Sequence, residues 1–102
     1  MSGSTNVGAP SLEQVGGRWS PVGPLTMDTA AKLLAASRAS PLPENGIVDL
    51  ARVDRVDSAC VALMLAWKRR AAAEHKPLAF TGVPQSVSSL ATLYGVGELL
   101  AD

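Results

Sequence analysis

From Ala59 to Trp67 the chain runs Ala-Cys-Val-Ala-Leu-Met-Leu-Ala-Trp, with no polar residue. A helix on a protein surface shows polar positions every turn. This stretch shows none for more than two turns, so both of its sides must face something other than water. One side belongs to a core; the other poses the functional question. Just upstream, Gly46 to Leu50 carries Ile47, Val48 and Leu50 and reads as a buried strand. After a short connection, Asp57 and Ser58 stand where a helix N-cap belongs. The helix is expected to run from about Ser58 to His75, where Pro77 stops it. Lys68-Arg69-Arg70 changes its character near the C-terminal end, reading as a solvated face whose cations suit the macrodipole.

The same patterning places the other elements. Ser11 to Val15 and Arg18 to Val22 flank Gly16-Gly17, a hairpin signal, and Gly23-Pro24 reads as a break after the second strand. Leu25 to Arg38 predicts a first helix, capped by Thr26 or Asp28, with Leu33 and Leu34 on its apolar side. Pro41 and Pro43 make Ser40 to Asn45 a loop. Leu78 to Thr81 predicts another strand, ended by Gly82. Gln85 to Leu93 predicts a third helix with Val87, Leu90 and Leu93 on one face and Gly95 as its C-cap, and Gly97 to Ala101 one further turn. The order ββαβαβα implies an α/β domain with a mixed sheet of about four strands and three main helices. Residues 1–10 read as a flexible arm and 11–102 as a single domain.

Composition narrows the function. The 102 residues suffice for one domain with a modest core. Formal net charge is zero, which argues against binding to nucleic acid or to an anionic membrane through a basic excess. No apolar run is long enough to span a bilayer, and Met1 to Pro10 lacks the pattern of a signal peptide. The single cysteine cannot form an internal disulfide, so the cytoplasm is the expected compartment.

No enzyme constellation is visible: there is no phosphate loop and no His/Cys/carboxylate set at metal spacing, so neither catalysis nor a cofactor is expected. His75, the only histidine, sits among charges near a helix end and reads as a solvated cap. Cys60 reads as a small buried hydrophobe, and Trp19 as core packing. Asp54 and Asp57 read as turn and capping residues. For Ser58 two readings stand side by side: an N-cap, or a switch or docking position, where a phosphate would meet backbone N–H groups and the positive helix end. Helical periodicity puts Cys60, Leu63, Met64, Trp67 and Ala71 on a bulky face suited to the core. Ser58, Ala62, Leu65 and Arg69 fall on the opposite stripe, small and apolar near Ser58 and charged further along, which suits a close-fitting partner.

Asp49-Leu50, Val53-Asp54, Val56-Asp57-Ser58-Ala59, Ala62-Leu63 and Leu65 resemble the signature of STAS domains, the fold of anti-sigma-factor antagonists and sulfate-transporter tails. Phe80 to Pro84 and Leu90-Ala91-x-Leu93-Tyr94-Gly95-Val96 are similar to the closing segment of the small STAS subunits of Mla-type lipid ABC transporters. Cys60 stands where that family often has Gly. The resemblance implies a STAS fold with no catalysis of its own, an accessory subunit that stabilises or activates the ATP-binding subunit of an ABC transporter. The permease and substrate-binding subunits would complete the complex, which moves phospholipid and so maintains outer-membrane lipid asymmetry. It implies docking through Ser58, Ala59, Ala62, Leu65, Tyr94 and Leu34. It also implies a place on the cytoplasmic side of the inner membrane, reached through the partner and without direct insertion. The alternative it carries is an anti-sigma-factor antagonist switched by phosphorylation of Ser58.

Overall fold

A computed structural model describes residues 10–100, positions 98 and 99 by their backbone alone. The arm expected over residues 1–10 therefore lies, Pro10 excepted, outside the described residues, as do 101 and 102. Strands β1 (Ser11–Val15) and β2 (Arg18–Leu25) form an antiparallel hairpin closed by the pair Val15↔Arg18. Gly16 and Gly17, at φ 61° and 81°, supply the two left-handed residues that such a tight turn requires.

β2 does not stop at Gly23-Pro24, where a break was expected, but continues to Leu25. The register against a neighbouring strand shifts between Gly23 and Pro24, an irregularity of the kind where a sheet tolerates glycine and proline. With Leu25 buried in the sheet, helix α1 starts later than expected and spans Ala30–Arg38. Neither Thr26 nor Asp28 caps it. Thr29 holds the N-cap position, and its hydroxyl folds the preceding turn instead, accepting from Thr26 N–H at 2.9 Å and donating to the Pro24 carbonyl at 2.8 Å.

β3 (Ile47–Asp49) runs parallel to β2 through Trp19↔Val48, and β5 (Ala79–Thr81) runs parallel to β3 through Val48↔Phe80. The connection after Leu50 holds a further short strand, β4 (Val53–Val56), which pairs in parallel with the far half of β2. β3 and β4 thus follow one another along β2, separated by the turn at Leu50–Arg52. The mixed sheet counts five strands in the order β1-β2-β3-β5, with β4 prolonging the line of β3. Gly82, at φ 62°, closes the end of β5 against that turn: a Cβ there would come within 2.8 Å of both Ala51 N and Asp49 Oδ1.

The remaining helices are α2 (Ser58–Ala73), α3 (Gln85–Leu93) and α4 (Gly97–Leu100). Cys60, Leu63, Met64, Trp67 and Ala71, the expected inner face of α2, are all buried, and Val61 joins them. They pack on Trp19, Leu25, Val48 and Phe80 from the sheet, on Leu50 from the turn after β3, and on Leu33 and Val87 from the flanking helices. Trp19 and Trp67 meet edge to face, 5.5 Å between centroids and 66° between planes. Such a pair adds about 0.5–1.5 kcal/mol beyond its burial.

α3 departs from the expected pattern in one place. Val87 and Ala91 are buried and Leu90 is half-buried, but Leu93 is 76% exposed. Gly95 ends this helix at φ 74°, with Val96 N–H returning to the Ala91 carbonyl. α2 ends at Ala73, two residues short of the expected His75. His75 takes φ 56° just beyond the helix, donating its N–H to Ala72 O while Lys76 N–H reaches Ala71 O, so it serves as an exposed left-handed cap.

The Lys68-Arg69-Arg70 run is not a uniformly solvated face. Only Arg69 is exposed. Lys68 Nζ donates to the Leu78 carbonyl and lies 5.9 Å from the centroid of the Phe80 ring. Arg70 donates to the Ser37 and Ser40 carbonyls at 2.7 and 2.8 Å, pairs with Glu74 at 2.8 Å, and lies 5.9 Å from the centroid of the Trp19 ring.

Candidate functional site

The site is built where α2 begins. Asp57, with extended backbone, is its N-cap: Oδ1 accepts from Ala59 N–H at 2.8 Å. Ser58 is therefore not the cap that one sequence reading made it. It is the first helical residue, exposed, with its hydroxyl relieved of capping. The second oxygen of Asp57 reaches across to the turn before α1 and accepts from Met27 N–H at 3.0 Å.

Asp57 thus clips the start of α1 to the start of α2. At the other end, Arg70 clips the end of α1 to the last turns of α2. The two helices lie side by side and run in the same direction. Between them the sequence places small residues, so an apolar groove of about 170 Å³ remains open. α1 lines it with Ala30, Ala31 and Leu34, and α2 with Ala59, Ala62, Leu63 and Ala66.

Three of the six expected docking residues, Leu34, Ala59 and Ala62, come together in this groove, and Ser58 directly precedes Ala59. Leu65 is half-buried against the core and does not line the groove. Tyr94 is 53% exposed at the end of α3 beside the exposed Leu93, also off the groove. Met27, which its sequence neighbours do not single out, is 78% exposed and tied through its N–H to the same Asp57 that caps α2. Nothing local in Thr26-Met27-Asp28 signals this, because the tie spans thirty residues of sequence.

Little reactive chemistry surrounds the groove. Cys60, one residue on from Ala59, is buried, and its Sγ lies 4.0 Å from Met64 Sδ. Burial, with the Asp57 charge adding to it, pushes its thiol up to about 12, which keeps it protonated and unreactive. A larger cleft of about 330 Å³ lies between α2, α3 and α4, walled by Met64, Phe80, Val83, Val87 and Ala91, with the Ser88 and Thr92 hydroxyls as its polar side chains. Among the described residues no group of three or more His, Cys, Asp or Glu side chains is placed to hold a metal ion, and no helix is long and apolar enough to cross a membrane.

A protein-family model described as "Mlab, STAS domain" matches residues 21–101, from the middle of β2 through α4. No curated protein matches the chain.

Proposed function

The chain belongs to the MlaB-type STAS domain family, and on that premise we propose that it is a non-catalytic accessory subunit of a Mla-type ABC transporter. It docks on the ATP-binding subunit, which it stabilises or activates on the cytoplasmic face of the inner membrane. The complex, completed by its permease and substrate-binding subunits, moves phospholipid. The observation that carries this reading is the open apolar groove between α1 and α2, beside a Ser58 that Asp57 has freed from capping. Small exposed positions such as Ala62 let a partner approach the helix backbone closely. Leu34, Ala59 and Ala62 form the contact, with Ser58 at its edge; Leu65 and Tyr94 stand outside it and extend the contact only if the partner reaches round α2.

Co-purification with the ATP-binding subunit tests the proposal. Wild-type protein is expected to form a stoichiometric complex, and Ala62→Arg to abolish it without changing the thermal transition. A wild-type protein that leaves the ATP-binding subunit unbound overturns the reading.

A second reading rests on the exposure of Ser58: an anti-sigma-factor antagonist whose partner exchange follows phosphorylation there. A phosphate at the first helical position meets the positive helix end and unpaired N–H groups. Intact mass of protein from its native host separates the two, because a stoichiometric phosphate on Ser58 belongs to the switch and not to the transporter subunit.

A further inference from the structure

Deepening the docking reading, on which this inference rests, we propose that the occupant of the α1–α2 groove is a partner helix that is apolar where it enters and acidic further along. Its acidic end lies toward the C-terminal ends of α1 and α2, between Arg38 and Arg69.

Direction comes from the two clips. Met27 to Asp57 holds the helix starts together and Arg70 to Ser37 and Ser40 holds the ends together, so the groove has a defined starting end and finishing end. Helical spacing then fixes what stands at the finishing end. Arg38 lies four residues beyond Leu34 and seven beyond Ala31 on α1, while Arg69 lies three beyond Ala66 and seven beyond Ala62 on α2. All four of those reference residues line the groove. Both arginines are exposed, and neither pairs with a carboxylate among the described residues. The neighbouring Arg70, in contrast, is spent on carbonyls and Glu74.

The starting end leans the other way, with two exposed carboxylates to one guanidinium. Asp28, Asp54 and Arg55 are exposed there, mixed in charge, beside the exposed Met27. An apolar floor that ends in two free guanidiniums complements apolar side chains followed by carboxylates. Arginine suits this because its planar fork takes a carboxylate on two parallel N–H bonds. Helix-in-groove recognition reads its ligand in this way, with apolar anchors for affinity and charges for orientation.

The test titrates the purified ATP-binding subunit of a Mla-type transporter onto wild type, Arg38→Glu/Arg69→Glu, the milder Arg38→Gln/Arg69→Gln, Lys32→Glu as an off-groove control, and Ala62→Arg. Circular dichroism melts accompany each variant, and the glutamine pair stands in should the glutamate pair lose its fold. The double glutamate variant is expected to bind at least tenfold more weakly, chiefly through a slower on-rate. Its binding should lose the salt sensitivity that the wild type shows. Lys32→Glu is expected to bind within twofold of wild type. If wild type binds and Ala62→Arg does not, yet both arginine pairs bind unchanged or more tightly, the acidic-helix inference fails while the docking reading stands. If wild type does not bind at all, both fail.

Discussion

The two carboxylate oxygens of Asp57 serve two different helices. One carboxylate oxygen caps α2 and the other holds Met27 N–H, so a single residue fixes both helix starts. Its neighbour Ser58 has neither duty. Asp57→Ala is expected to cost about 1–2 kcal/mol, the range for losing an N-cap, whereas Ser58→Ala stays within about 0.5 kcal/mol, as for surface changes away from such features. Asn at 57 recovers most of the loss, since its carbonyl oxygen still accepts. Urea unfolding curves of the three variants check the ranking, and an equal loss for Ser58→Ala would return the capping role to Ser58. The pair Asp57-Ser58 was legible as a helix start from sequence. Which of the two accepts the N–H was not, because both residue types cap well and a shift of one position separates the readings.

At the scale of elements, α2 and α3 were legible nearly to the residue, because each begins beside a helix-start residue and ends at Gly or near Pro. β4 was not. Val53 and Val56 are half-buried while Asp54 and Arg55 are exposed, so no period-two alternation marks it. The extension of β2 through Gly23-Pro24 was hidden for a related reason: both residues read as breakers, and only a neighbouring strand with a register shift accommodates them. Arg70 shows the same limit for charges. Within its run it looks solvated, yet its guanidinium satisfies two carbonyls at the end of α1 from 30 and 33 residues away. Arg70→Ala is therefore expected to destabilise the domain by about 2–3 kcal/mol, the scale of hydrogen bonds to charged groups. Arg70→Lys recovers little, since one ammonium does not reproduce a planar fork held at two carbonyls. Arg69→Ala, one position away, stays within about 0.5 kcal/mol. Thermal melts of the three distinguish a clamp from a solvated cation: equal shifts for Arg69→Ala and Arg70→Ala would remove the clamp.

Across the whole molecule, α2 sorts its residues into a buried face and an exposed one. α2 turns Cys60, Leu63, Met64 and Trp67 toward the sheet and Ser58, Ala62 and Arg69 toward solvent, a division visible in the spacing except at Leu65, which the spacing puts on the outer stripe and the fold half-buries against the core. Global stability therefore rests on the inner face, and Cys60 gives it a pH dependence of determinable sign. The thiol is pushed from 9.0 up to about 12 in the folded chain, first by burial and then by the Asp57 charge. Below pH about 9 both folded and unfolded chains hold the proton, and the group adds no slope. Between about 9 and 12 the unfolded chain releases its proton while the folded chain keeps it. Stability then falls as pH rises, by up to about 1.4 kcal/mol per pH unit from this group. Cys60→Ala removes that slope. It also removes a buried sulfur next to Met64, so the variant starts less stable at pH 8. The expected outcome is a pair of converging curves: urea midpoints of wild type drop from pH 9 toward 10.5 more steeply than those of Cys60→Ala. Emission from Trp19 and Trp67 reports both, because the two rings sit in the core. The difference between the two proteins isolates the contribution of the thiol. Parallel curves would show that the thiol ionises as freely in the folded chain as in the unfolded one, and that the start of α2 is wetter than its packing implies.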